Sequence, residues 1–123
     1  MNQISPASSE IIYRALINIA VESWRFGKVF ERLVLRMEPK EQARYISQFN
    51  WFIKKVEASL ADAGMHMVNI EGHLFDPGMA ATPLNIDEFG DSGDLIVDNM
   101  LEPIIMSATG LVKAGTVILR KVT

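Results

Sequence analysis

Hydrophobic period changes once along this 123-residue chain, at Gly64, and that change constrains the fold more than any other feature. Before it, Ile46, Phe49, Ile53, Val56, Leu60 and Ala63 recur at alternating spacings of three and four, the stripe of an amphipathic helix. After it, Met65 and Met67 alternate with His66 and Val68, the period of a strand. Glycine suits the left-handed position that ends a helix. Helices first and strands afterwards mean an α+β chain with segregated parts. We therefore expect a helical part over residues 1–64 and a small all-β domain over 65–123.

The helical part divides at Pro39. Residues 1–7 read as a lead-in, Ser8 or Ser9 as the N-cap, and Glu10 as a first-turn acid matched to the helix dipole. Ile12, Leu16, Ile19, Ser23, Phe26, Phe30, Leu33 and Met37 then form a heptad-like seam. Pro39 disfavours helix at Glu38 and suits the first position of a new helix, running from about Lys40 to Ala63. A connection this short predicts an antiparallel hairpin. A second apolar row, Tyr13, Ile17, Ala20 and Trp24, lies on another part of the first helix. It predicts a dimer interface, two hairpins making a four-helix bundle. Gly27 marks a close helix–helix approach, and Trp51, off the main stripe, is the aromatic expected to face a partner.

In the β part, the segment after Gly64 is extended as far as Gly72. Phe75-Asp76-Pro77-Gly78 has strong turn chemistry. A short strand within 79–86 carries Pro83, which places it at a sheet edge. Asp87–Asp94 is an acidic loop. Leu95–Leu101 and Ile104–Met106 read as strands with Pro103 as the bend between them. Turns follow at Ser107–Gly110 and Lys113–Gly115. Thr116–Val122 is the last strand, with Val117 and Leu119 on one face and Ile118 and Arg120 on the other.

Composition narrows the function. The net charge of −3, with no basic stripe, argues against nucleic acid. Cysteine is absent, which removes thiolate and disulfide chemistry and suits a reducing cytoplasm. The opening MNQISPASSE lacks the charged and apolar regions of a secretory leader, and no apolar run is long enough to span a bilayer. The expectation is a cytoplasmic protein without a membrane partner. Hydrophobic content of 49% leaves room for a further buried face.

No catalytic frame emerges. His66 and His73, the only histidines, stand seven apart without a companion ligand, so no metal site is expected. The acidic loop fails as a calcium loop, with Phe89, Ser92 and Asp98 at positions where the template needs an oxygen ligand, glycine and glutamate. No nucleophile elbow or phosphate-binding glycine loop occurs. No carboxylate pair sits in a setting that would separate its pKa values. We expect neither an enzyme nor a cofactor.

Three places carry a family resemblance, Leu60–Pro77, an aliphatic strand segment and turn after it, and Leu111–Val117, and the upstream helix LINIAVESWRFGKVFERL resembles the family's first bundle helix. Leu60–Pro77, LADAGMHMVNIEGHLFDP, is similar to the helix end, first strand and Phe-Asp-Pro corner of GrpE, the nucleotide exchange factor of Hsp70 chaperones. Leu111–Val117, LVKAGTV, resembles that family's closing strand, with Lys113-Ala114 where the family has Arg-Pro. The likeness spans about residues 12–122 and lacks the family's long N-terminal stalk. It implies a homodimer whose β domain wedges open the nucleotide-binding domain of an Hsp70-type ATPase, releasing ADP. The partner-binding residues it implies are Lys113, Gly115 and Val117, with Asp76 and Pro77 shaping the corner. The alternative is a dimeric adaptor or scaffold of the same fold without exchange activity.

Overall fold

The computed structural model describes residues 6–90 and 93–122, and shows two helices followed by six strands. The chain divides into two compact units, Met1–Gly64 and Met65–Thr123.

In the first unit, α1 (Pro6–Val34) and α2 (Pro39–Asp62) form the expected hairpin. The start of α1 differs from the expectation. Pro6 opens the helix, so Ser8 and Ser9 lie inside it and the first turn contains no acid. Proline loses nothing at a first turn whose N–H groups have no helical partner. Most of the lead-in, residues 1–5, lies outside the described residues. The helix also ends three residues before Met37. The Arg36 and Met37 N–H groups donate to the Leu33 and Val34 carbonyls, both at 3.1 Å, tightening the chain into a turn. Glu38 is then extended (φ −60°, ψ 146°), as a residue before proline must be. Gln42 Nε2 ties the turn down by donating to the Met37 carbonyl at 3.0 Å.

Gly27 explains how the helices approach. A Cβ there would lie 2.7 Å from Phe49 Cζ, so any larger residue would have to displace the end of that ring. Phe49 stacks on Phe30 with centroids 5.0 Å apart, and Phe26 and Phe52 extend the aromatic row at each end. At the far end of α2 the Gly64 N–H donates to the Ala61 carbonyl, and Gly64 takes φ +78° as the expected helix stop.

The second unit holds two three-stranded sheets. In the first, β1 (Met65–Val68), β4 (Ile104–Ser107) and β5 (Gly110–Lys113) lie in the order β1-β4-β5, all antiparallel. In the second, β2 (Ala81–Pro83), β6 (Gly115–Lys121) and β3 (Leu95–Glu102) lie in the order β2-β6-β3. Here β2 runs parallel to β6, and β3 antiparallel. Pro83 does end an edge strand, where its missing N–H costs no ladder bond. Buried Pro103 carries the chain from β3 in one sheet to β4 in the other, and Ala114 carries it back from β5 to β6. Met65, Val97, Met100, Ile105, Val117 and Leu119 form the core of the unit, each at most 2% exposed. The alternation expected for the last strand holds, with Val117 and Leu119 inside and Arg120 outside.

Sequence reading missed three features. β5 was expected only as the link between two turns. Ile86–Glu88, within the expected strand and loop, is a single 3₁₀ turn. The stretch after β1 lines the free edge of β3: Gly72 and Phe75 N–H groups donate to the Val97 and Leu95 carbonyls, both at 2.8 Å, and Val97 N–H donates to His73. Of the acidic loop, residues 91 and 92 lie outside the described residues.

Candidate functional site

The Phe75–Gly78 corner is built from its own side chain. Asp76 Oδ1 accepts from the Gly78 N–H at 2.9 Å, and the Asp76 carbonyl accepts from Met79 N–H at 2.8 Å. Pro77 presets the backbone between them. Asp76 and Pro77 are both exposed. The chain leaves the corner directly into β2, which pairs in register with the start of β6, Ala81 opposite Gly115. The Gly115 N–H donates to the Ala80 carbonyl at 2.9 Å, so the corner and the β5–β6 junction are neighbours. Two stretches more than thirty residues apart thus meet at one end of the second sheet.

Lys113, at the end of β5, is half-buried. Its Nζ lies 3.4 Å from Glu102 Oε1 and 3.5 Å from the Ala114 carbonyl. Glu102 Oε1 also accepts from Thr116 Oγ1 at 3.0 Å. The three side chains form a polar patch across β3, β5 and β6. Glu102 and Thr116 escaped the sequence reading because their partners are distant in the chain and no local pattern marks them. The same holds for Glu71, whose Oε2 accepts from the Met100 N–H at 2.7 Å, close to an irregularity in the β3 register.

Gly115 and Val117 need correction as contact residues. Val117 is wholly buried, because the even alternation of β6 turns it inward with Leu119. A Cβ at Gly115 would lie 2.8 Å from Met100 Cε, 2.9 Å from the Glu102 carbonyl oxygen and 3.0 Å from Ile104 Cγ1. Glycine is required there by packing from within. The Val117 side chain and the Gly115 position are therefore both enclosed by the unit's own core. Asp76, Pro77 and Lys113 are the surface members.

The helical row expected at the dimer contact also changes. Ala20 is fully buried within the single chain, Ile17 and Trp24 are half-buried, and only Tyr13 reaches 36% exposure. Ala20 and Val34 stand seven residues on either side of Gly27, on the face that α2 covers, so small residues mark the inner face. The expected seam is split instead: Ser23 is buried and Leu16 and Phe30 are half-buried, while Ile12, Ile19, Phe26 and Leu33 are exposed. Two apolar clefts of about 320 Å³ flank the Phe30–Phe49 stack, one reaching Leu35 and Ile46, the other Phe26, Tyr45 and Phe52. Trp51 is 65% exposed, with Lys55 Nζ 5.3 Å above its ring.

Among the described residues, no group of three or more His, Asp or Glu side chains is placed to hold a metal ion. No helix among them is long and apolar enough to cross a membrane. Comparison with protein-family models, curated proteins and solved structures returns no match to this chain.

Proposed function

We propose that the chain is a cytoplasmic co-chaperone resembling GrpE, whose β unit binds an Hsp70-type ATPase and promotes ADP release. One observation carries the reading: Gly115, in the closing stretch of the resemblance, bonds to Ala80, three residues beyond the Asp76–Pro77 corner that ends its first stretch. An exposed corner held by its own hydrogen bonds suits a protein that works by holding another in an open state. Such a mechanism needs no catalytic group of its own. Binding energy spent on the open ATPase shifts its population toward nucleotide loss, by as much as the affinity difference between the two states.

The release rate of fluorescent ADP from the host's Hsp70 proteins tests this. Acceleration is expected, with Lys113→Ala weakening the apparent affinity by roughly tenfold, as for loss of a contact worth about 1.4 kcal/mol. Lys113→Ala leaves Glu102 its Thr116 bond, so an unchanged melting curve separates lost contact from lost fold. A folded protein that accelerates no host Hsp70 would sink the proposal. A dimeric adaptor or scaffold of the same fold is the second reading, favoured by the exposed apolar side chains of the helical hairpin, Trp51 and Phe26 among them. Trp51→Ala would then impair partner capture where Lys113→Ala does not.

A further inference from the structure

The outer face of α2 is basic. Lys40, Arg44, Trp51, Lys54 and Lys55 are all exposed. At about 100° per residue, the four cations lie within about 60° of Trp51 around the helix axis. Glu41 and Glu57, the acids of the same span, stand about 80° and about 120° away from it. Phe49, which packs on Gly27, stands about 160° away, so this face is turned from the hairpin contact. The sequence expectation of no basic stripe does not hold for this face, because acids elsewhere cancel it only in the total.

Among the described residues, none of the four cations is in an ion pair. Lys55 Nζ lies 5.3 Å from the centroid of the Trp51 ring, and the Arg44 guanidinium 5.0 Å from that of Tyr45. A tryptophan 65% exposed between cations has the make-up of an interface hot spot, an aromatic centre with a charged rim. We infer that this face binds an acidic peptide segment of a partner protein. The segment lays an apolar side chain on Trp51, with carboxylates on Lys40 and Arg44 to one side and on Lys54 and Lys55 to the other. Residues 40 to 55 cover about 22 Å of helix axis, the length of about seven residues of extended chain. Ser47, one turn before Trp51, is small and exposed and leaves room beside the ring. Charge selects the occupant. With four positive charges on this face, the total of −3 leaves −7 on the rest of the chain. A membrane surface or a nucleic acid brings negative charge up to far more of the chain than the stripe, and that excess repels it. A short acidic segment engages the stripe alone. This inference is separate from what the β unit binds.

Fluorescence anisotropy of a labelled peptide, a central Phe-Leu pair flanked by glutamates on each side, tests this on the full chain. Binding is expected with Kd below about 100 μM at low salt, and the peptide with glutamines in place of glutamates should bind at least about tenfold more weakly. Lys54→Glu with Lys55→Glu, and separately Trp51→Ala, should each weaken binding at least about tenfold with helical circular dichroism unchanged. Arg14→Glu makes a charge change at an exposed position of α1, off the stripe, and should leave Kd within about twofold. Failure of the glutamate peptide to bind would overturn the inference. So would binding that survives Trp51→Ala or the double lysine change, or a loss that Arg14→Glu equals. Tighter binding through the same residues to phosphatidylserine–phosphatidylcholine vesicles, or to a single-stranded oligonucleotide, would overturn it as well. ADP release plays no part in this readout, so either reading can fail without the other.

Discussion

Gly115 illustrates how much one residue can decide. Its backbone is not in the left-handed region, so conformational freedom is not what the position needs. It needs the missing side chain, because the Glu102 carbonyl, Met100 and Ile104 close over it. Met100 can bend away from an added methyl, but a backbone carbonyl in a paired strand cannot. Gly115→Ala is expected to lower stability by about 1–3 kcal/mol, the usual cost of overpacking, seen as a lower denaturant midpoint. Gly27 has the same requirement toward Phe49, yet its contact is the far end of a ring beside open clefts, which can yield. Gly27 announced itself in the sequence as a glycine inside a helical stripe. The constraint at Gly115 was invisible, since it comes from strands far away in the chain.

Between elements, the second sheet is finished by a side chain. Parallel β2 ends at Pro83, the Leu84 N–H still reaches the Val117 carbonyl, and beyond it the Asn85 amide takes over. Asn85 Oδ1 accepts from the Leu119 N–H and Nδ2 donates to the Leu119 carbonyl, both at 2.9 Å. One amide supplies the donor and acceptor that a further strand residue would have offered, and frees the chain to turn into the 3₁₀ segment. Asn85→Ala leaves both Leu119 groups without that partner and should cost about 1–3 kcal/mol. Amide exchange would show it as faster loss of the Leu119 proton than in wild type. Unchanged protection of Leu119 would mean that water replaces the amide without penalty. The helices, by comparison, were legible as elements because their signals are local: stripe, proline and terminal glycine. The error lay in choosing which apolar row faces inward, because periodicity identifies faces without saying which neighbour covers each.

For the whole molecule, the boundary at Gly64–Met65 separates two units of different charge as well as structure. Residues 65–123 carry three basic and eight acidic side chains, whereas residues 1–64 carry nine basic and seven acidic. Every strand pairing of both sheets lies within the second unit, and so do its fully buried side chains Met100, Ile105 and Val117. Residues 65–123 expressed alone are therefore expected to unfold cooperatively in urea with tertiary near-ultraviolet signal. A broad, non-cooperative transition would show that the unit needs more than its own core.

The α+β order, the hairpin, the break at Pro39, the stop at Gly64, the edge position of Pro83 and the inward face of the last strand all followed from sequence. Each depends on residues within a few positions of one another, where spacing and backbone chemistry act directly. Tertiary structure alone decided that the chain just after the Phe75–Gly78 corner pairs with Gly115, that Glu102 holds Lys113 and Thr116, and that Val117 is buried in the core. It also decided that Ile12, Ile19, Phe26 and Leu33, rather than Ala20, are left facing outward. These are choices among pairings distant in the chain, governed by steric fit and hydrogen-bond satisfaction between elements, which the order of residues in one segment does not record.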